Sequence, residues 1–344
     1  MLRSVIPKSP ARFLLHGSRA ALSSSTTSST VATIRLYRIL FRQLQVLPDD
    51  DTPFLLQPHL NPRDYGRAKL MMSSSSSSSS LMGGEKSSDT DLFQLFARWY
   101  EEDHDDEDIN DWYQNLVGRE LANEDYQSSS SSGDDIDTSL WTSREAVRSA
   151  IQTAFRTPTS MATTTQQRFA ILTIHWLQDV EQMIQRSSVS TEHGLRVVAT
   201  SSCIGIASSG SALINETKHR FAYRIRVENL ADSESTVQIV GRTWSIQEDG
   251  DSTGYTPDPV IVNAPTTGAV GHLPVLPPGH VFEYMSGCEL ATTTGTMGGL
   301  FHMAVVDEKT PSAMVGDPID AFQSPGSEKF ELAVQPFPLI ADTD

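Results

Sequence analysis

The sequence predicts a multi-domain chain, α then all-β, in which the helical part is interrupted. Three observations carry this reading. Apolar residues recur at three- and four-residue steps over 34–47 and 165–186. Serine tracts at 73–80 and 128–132, with a run of acids between them, separate the first of these stretches from the second. From Glu192 onward, apolar residues alternate in short runs divided by turn-forming residues, which is the pattern of strands.

Composition narrows the classes. The 344 residues are 38% hydrophobic and 20% charged, enough for two domains and their connections. Lys and Arg number 26 against 43 Asp and Glu, a net charge of −17, which argues against the basic face that nonspecific nucleic-acid binding requires. No run approaches the roughly 18–20 apolar residues of a membrane span. Cys203 and Cys288 offer neither a disulfide framework nor metal-ligand spacing, so a reducing intracellular compartment is expected.

The charge is regional. Residues 1–48 hold Arg3, Lys8, Arg12, Arg19, Arg35, Arg38 and Arg42 and no acid. Residues 1–30 combine this with a Ser/Thr-rich end and no long apolar run, the composition of a transit peptide; the mitochondrial matrix is the expected destination and the plastid the alternative. The first helix then carries Ile34, Tyr37, Leu40, Phe41, Leu44 and Leu47 on one stripe, with Arg35, Arg38 and Arg42 on its flanks and Pro48 as its stop. Such a cationic amphipathic helix suits an anionic membrane surface or an acidic protein partner.

Leu36-Tyr37-Arg38-Ile39-Leu40-Phe41-Arg42, followed by Leu47-Pro48, resembles the start of the LYR-motif family of small mitochondrial helical proteins. Val147-Arg148-Ser149-Ala150-Ile151-Gln152-Thr153-Ala154-Phe155-Arg156 is similar to that family's second helix. A third helix reads from Thr165 to about Arg186, with Phe169, Leu172, Trp176, Leu177, Val180 and Ile184 on one face. Residues 31–186 are thus read as a LYR-like three-helix bundle split by a low-complexity insertion at about 49–140, where the family has a short link. The resemblance implies a mitochondrial acyl carrier protein as partner, met by Tyr37, Arg38, Arg42, Phe155 and Arg156, and a role in maturing respiratory complexes or iron–sulfur proteins. No cofactor of the chain's own is implied; a 4′-phosphopantetheine acyl chain would come with the carrier. Arginine suits such a contact because its planar, permanently charged fork makes paired bonds to carboxylate or phosphate.

Inside the insertion, Leu92, Phe93, Leu95, Phe96, Trp99 and Tyr100, then Trp112, Tyr113, Leu116 and Val117, predict two accessory helices around the acidic run Glu101 to Asp111. That run lacks the glycine and the ligand spacing of an EF-hand loop and is read as a solvated cluster.

In the second half, Phe221 to Glu228, Val237 to Trp244, and Phe330, Leu332 and Val334 before Pro336 alternate as strands, with turns expected at Gln247–Gly254, Leu276–Gly279 and Thr294-Gly295. About seven strands predict a β-sandwich. Tyr223-Arg224-Ile225-Arg226-Val227-Glu228-Asn229, Arg242-Thr243-Trp244, Gly268-Ala269-Val270-Gly271-His272-Leu273-Pro274, Leu276-Pro277-Pro278-Gly279, Phe282 to Cys288 and Thr294 to Gly299 resemble the ApaG family, in family order. The resemblance implies an immunoglobulin-like or fibronectin-III-like β-sandwich over 189–344 with no settled catalytic activity, and an unidentified protein client. Bacterial members are associated with cobalt and magnesium resistance, and pyrophosphate binding through a glycine-rich stretch has been proposed for them; here that stretch is Thr266-Thr267-Gly268-Ala269-Val270-Gly271. With the first glycine replaced and no helix following, Gly268 and Gly271 are weak anion-site candidates and are read chiefly as turn formers.

No nucleophile set emerges, since Cys288 has no neighbouring His and Ser286-Gly287-Cys288 is not a nucleophile elbow. His272, His280 and His302 lack metal spacing and are read as surface or packed residues. The expected function is a non-enzymatic interaction protein with two modules. The alternative is a small-anion or metal-linked ApaG module tethered by the helices. A ubiquitin-ligase adaptor, suggested by ApaG fusions to F-box proteins, ranks last because no F-box pattern precedes Val189.

Overall fold

A computed structural model describes residues 26–49, 52–57, 60, 65–72, 140–156, 163–208, 217–250, 255–306 and 328–341. The expected accessory helices at 92–117, the acidic run and most of the expected leader lie outside these residues.

The first helix, α1, runs Thr26–Gln43 and tightens into a 3-10 turn at Leu44–Val46. It starts inside the stretch read as the leader. Leu40, Leu44 and Leu47 are buried, and Tyr37 and Phe41 are half-buried with ring centroids 4.5 Å apart. Ile34, expected on the same stripe, is exposed. Leu47 is already extended, with φ −68° and ψ 153°, as a residue before proline prefers, and this ends the helix.

Helix α2 covers Arg144–Arg156 and α3 covers Thr163–Gln185. Ser143 caps α2, its hydroxyl accepting the Ala146 N–H at 3.3 Å. The Arg144 side chain donates to the Leu47 carbonyl, Nε at 3.1 Å, and pairs with Asp49, tying the start of α2 to the end of α1. Val147, Ala150 and Ile151 of α2, Trp176, Leu177 and Val180 of α3, and the α1 leucines share one core. That three helices form here agrees with the sequence reading.

The flanks of the insertion hold structure that the sequence reading treated as low-complexity. Strand β1 (Phe54–Leu56) pairs antiparallel with β3 (Leu140–Thr142), placing Leu55 opposite Trp141. This ribbon closes the split where it opens. Phe54 and Leu56 join the helical core, whereas the Trp141 ring lies against Arg196, 4.4 Å from guanidinium to centroid. Strand β2 (Ala68–Met72) leaves the helical part altogether and pairs with β10 (His280–Leu290) of the sandwich, Lys69 opposite Glu283.

The remaining strands are β4 (Ser187–Glu192), β5 (Leu195–Ser208), β6 (Thr217–Asn229), β7 (Val237–Glu248), β8 (Val260–Ala264), β9 (Val275–Leu276), β10 (His280–Leu290), β11 (Thr294–Val305) and β12 (Lys329–Ile340). One sheet has the order β2-β10-β6-β5-β4 and the other β12-β11-β7-β8, with β9 on β7, every pair antiparallel. The expected seven strands are therefore too few, and one strand of the sandwich comes from far upstream. Thr294-Gly295, read as a turn, opens β11; a Cβ on Gly295 would sit 2.6 Å from the Gln247 carbonyl oxygen, so its glycine permits close strand approach.

Alternation places Phe221, Tyr223, Ile225 and Val227 of β6 against Trp244, Phe301, Phe337 and Leu339 in the sandwich core. In β12 the buried set changes phase from Leu332 and Val334 to Phe337 and Leu339. The change coincides with a register shift between Met297 and Gly299 of β11, and β12 is an edge strand, where Pro336 and Pro338 cost little ladder bonding.

The other face of β6 departs from the usual polar-out rule, because Arg224, Arg226 and Glu228 are 4%, 1% and 1% exposed. Glu283 of β10 lies 3.5 Å from Arg224 and 3.9 Å from Arg226, and Glu228 lies 3.5 Å from Arg196 of β5. Gln57, just past β1, accepts from Arg224 at 3.3 Å and donates to the Thr200 hydroxyl at 3.2 Å. The ribbon thus covers a charged sheet face. Gln57→Ala is expected to lower stability by about 1–3 kcal/mol, because two buried polar groups lose a partner; a urea midpoint equal to the parent's would mean that the ribbon contact contributes nothing.

Candidate functional site

Two groups of residues were singled out by the sequence, and the fold keeps them apart: the arginine helix lies in the helical layer, the glycine turn at the end of β8.

On α1, Arg35, Arg38 and Arg42 are exposed and fall at steps of three and four along the side away from Leu40 and Leu44. Ile39 and Val46, 47% and 40% exposed, lie among them. The face is cationic with an apolar component. Tyr37 is held against Phe41 beside the core. Phe155 and Arg156 fall at the end of α2, but their side chains lie outside the described residues, so the five expected partner residues are brought together only as far as Tyr37, Arg38 and Arg42.

In the sandwich, Gly268 is buried and Gly271 exposed, both at positive φ, +61° and +79°. Ala269 and His272 exchange both backbone bonds, at 2.8 and 2.9 Å, around Val270 and Gly271. Both central residues have positive φ, as a type I′ hairpin turn requires, and at Val270 this is strained (φ 52°) because its side chain is β-branched. The Gly268 N–H donates to the Val240 carbonyl at 2.8 Å. The amides of Gly268, Ala269 and His272 are therefore engaged within the chain, which leaves the turn poor in donors for an anion. Gly268→Ala is expected to destabilise the protein by several kcal/mol, since its Cβ would lie 1.9 Å from the His272 oxygen, whereas Gly271→Ala, with nothing within 4 Å, should lose about 1–2 kcal/mol from backbone strain alone. Equal thermal midpoints for the two variants would contradict this packing argument.

What the turn does hold is Arg242, whose guanidinium donates to the Gly268 carbonyl. Arg242 also acts electrostatically on Tyr223 and Tyr284. Burial pushes both phenols above their ordinary range, Tyr284 furthest; a hydrogen bond with Ser286 partly offsets the shift at Tyr223. These residues were not marked as a site by the sequence, although Arg242-Thr243-Trp244 and the run from Tyr223 stood among the ApaG motifs. The cluster holds one cation and two protonated phenols, with no base among them.

Cys203 and Cys288 both stand opposite Phe221, on the strands either side of β6, and both are free. Burial, then the neighbouring Glu289 charge, pushes the Cys288 thiol up to about 12, so at neutral pH it is no nucleophile. His302 Nε2 bonds the Thr243 hydroxyl at 3.1 Å, His280 Nδ1 approaches the Pro278 carbonyl at 3.2 Å, and His272 is exposed. Among the described residues no group of three or more His, Cys, Asp or Glu could hold a metal ion.

The raised acids set a sign for stability. In the unfolded chain the thiol ionises at about 8.5, so above that pH the unfolded state binds fewer protons than the folded one and stability falls as pH rises. Tyr223 and Tyr284 extend the loss above the ordinary tyrosine range. Urea midpoints should therefore drop from about pH 8.5 upward, and Cys288→Ala should flatten the first part of the drop; a profile that Cys288→Ala leaves unchanged would contradict the shift.

The ApaG domain family matches residues 211–305, a span that holds β6 to β11. The ApaG protein of Beijerinckia indica subsp. indica is 36% identical over 115 residues, which are 33% of this chain and 79% of that protein. The chain belongs to the ApaG domain family. The ApaG protein of Xanthobacter autotrophicus is 38% identical over 96 residues, 28% of this chain, and that of Brucella anthropi 41% over 88 residues, 26% of this chain. The chain spans 66% and 60% of the lengths of those two relatives. A crystal structure of a Northeast Structural Genomics Consortium target is 26% identical and covers 44% of this chain and 90% of its own, with a TM-score of 0.31. The helices α1 to α3 lie outside the matched family span, and among the described residues no helix is long and apolar enough to cross a membrane.

Proposed function

We propose that this ApaG-domain chain is a non-enzymatic interaction protein of the mitochondrial matrix, whose LYR-like helices bind an acyl carrier protein and whose sandwich binds a protein client. The observation that carries this reading is the exposed line Arg35, Arg38 and Arg42 on α1, interleaved with exposed Ile39. An acidic helical partner meets such a face by charge and by apolar contact together. Tyr37, tilted against Phe41 beside the core, would border the acyl chain on its 4′-phosphopantetheine arm, with Phe155 and Arg156 contributing from α2. The process served is maturation of respiratory complexes or iron–sulfur proteins.

The second reading, small-anion binding at Gly268 and Gly271, draws support from Arg242 beside the turn. It is weakened by the engaged amides of Gly268, Ala269 and His272.

The test is co-expression of the chain with mitochondrial acyl carrier protein, affinity capture, and intact-mass analysis of the retained carrier. Wild type should retain acylated carrier, and Arg38→Ala with Arg42→Ala should reduce recovery at least about tenfold, a loss of roughly 1.4 kcal/mol or more. Recovery equal in wild type and variant, or none from either, would overturn the carrier reading.

A further inference from the structure

Apart from the two-residue β9 that shares the side of β7 with β8, the two sheets end on four strands among the described residues, and three of these edges are guarded. Strands β4 and β12 lie side by side: the hydroxyls of Ser188 and Ser190 donate to the Gln335 and Ala333 carbonyls at 2.7 and 2.9 Å, and Ser201 of β5 donates to Pro338. β12 also carries Pro336 and Pro338. β2 presents Lys69, exposed, as its second residue. Prolines and lysines of this kind are the usual means of blunting an edge.

The fourth edge, β8, has no such device. Its sequence, Val260-Ile261-Val262-Asn263-Ala264, contains no charge and no proline, and Val260, Ile261 and Val262 are 58%, 57% and 39% exposed. Among the described residues it pairs with β7 alone, so one row of its backbone donors and acceptors faces outward. Pro259 and Pro265 bracket the strand and limit any added partner to about five residues of pairing. Tyr255, 66% exposed, precedes it.

Charge selects the occupant. Between Thr243 and Thr267 the chain carries Glu248, Asp249, Asp251 and Asp258 and neither Lys nor Arg, while Arg242 is held on Gly268. Because Val260 stands opposite Ile246, the N-terminal end of β8 and the C-terminal end of β7 meet, which brings exposed Asp249 and Asp258 to one end of the edge. In antiparallel addition the C-terminal end of the incoming strand reaches that acidic end. A second copy of this chain would bring only Pro265-Thr266-Thr267 there, which is neutral.

We propose that β8 is a strand-addition site for an extended, β-branched segment of a partner protein that carries basic residues immediately C-terminal to it. Main-chain bonds to the open edge supply affinity, and the acidic end supplies direction. The inference rests on reading the sandwich as the client-binding module, and it is independent of the carrier-binding helix.

The test uses the full chain and a labelled peptide of alternating valine and threonine ending in lysines, with fluorescence anisotropy as the readout. Saturable binding is expected, about tenfold weaker for Ile261→Lys, weaker for Asp249→Asn with Asp258→Asn, and weaker for a peptide ending in glutamates. Ile261 is exposed, so that variant should keep its circular dichroism and, if the carrier reading holds, its carrier capture. Binding that neither the β8 variants nor the glutamate peptide changes, or no binding at all, would overturn the proposal. So would a concentration-dependent dimer in sedimentation that Ile261→Lys abolishes, since the edge would then belong to a second copy. Loss of carrier capture with intact peptide binding would count against the helix reading alone.

Discussion

The architecture depends on burying the charged face of β6. An isolated charge taken out of water costs several kcal/mol even after relaxation, so Arg224, Arg226 and Glu228 can be covered only where partners are already in place. Glu283 on β10 and Arg196 on β5 hold them from either side within the sheet. Gln57 closes the layer from above, and Gln57 belongs to a segment whose fold depends on β3, some eighty residues later. That is why the helical layer and the sandwich cannot be taken as beads on a string: the ribbon gives Phe54 and Leu56 to the helical core and lays Trp141 on Arg196 of the sandwich.

Such a network adds little net stability over an apolar packing of the same shape, because desolvation offsets most of the attraction. What it supplies is a unique arrangement. A hydrophobic outer face on β6 would accept the ribbon in several registers, or a second sheet, whereas a row of two arginines and a glutamate accepts one alignment of Glu283, Gln57 and Arg196. The same logic accounts for the ends of the ribbon. Ser143 starts α2 immediately after β3, and Arg144 reaches back to Leu47, so a chain that leaves after Pro48 is returned to the residue it left.

Much of this was legible in the sequence and some was not, for identifiable reasons. Periodicity gave α1 and α3 because each buries a continuous face, the match at 147–156 pointed to α2, and alternation gave β6, β7 and β12 because their inner residues are strongly apolar. β1, β2 and β3 were missed because three to five residues cannot express a period, and their pairing spans the longest gaps in the chain. Alternation put Arg224, Arg226 and Glu228 on one side of a strand, and it reports which residues share a side and not what covers that side. At the candidate site, the arginine line of α1 followed directly from spacing. The role of Gly268 as the acceptor for Arg242 could not, because it is a side-chain-to-backbone bond between a strand and a turn 26 residues apart.

The covered sheet also determines what is left for partners. With one outer face occupied by the chain's own upstream segments, and β4 and β12 sealed by serine-to-carbonyl bonds, the sandwich keeps β8 as its open backbone edge among the described strands. The helical layer keeps the outside of α1. These two surfaces have opposite sign, basic on the helix and acidic at the strand, on a chain whose overall charge is −17. An acidic partner approaching the whole molecule is repelled at long range and attracted only near α1, over distances within the ~8 Å screening length at physiological salt. A basic segment is drawn toward the molecule from further away and oriented by the end of β8. The two surfaces therefore discriminate partners by different routes: α1 by close contact, in which Ile39 and Val46 must desolvate along with the arginines, and β8 by approach, with the backbone ladder fixing the complex once charge has aligned it.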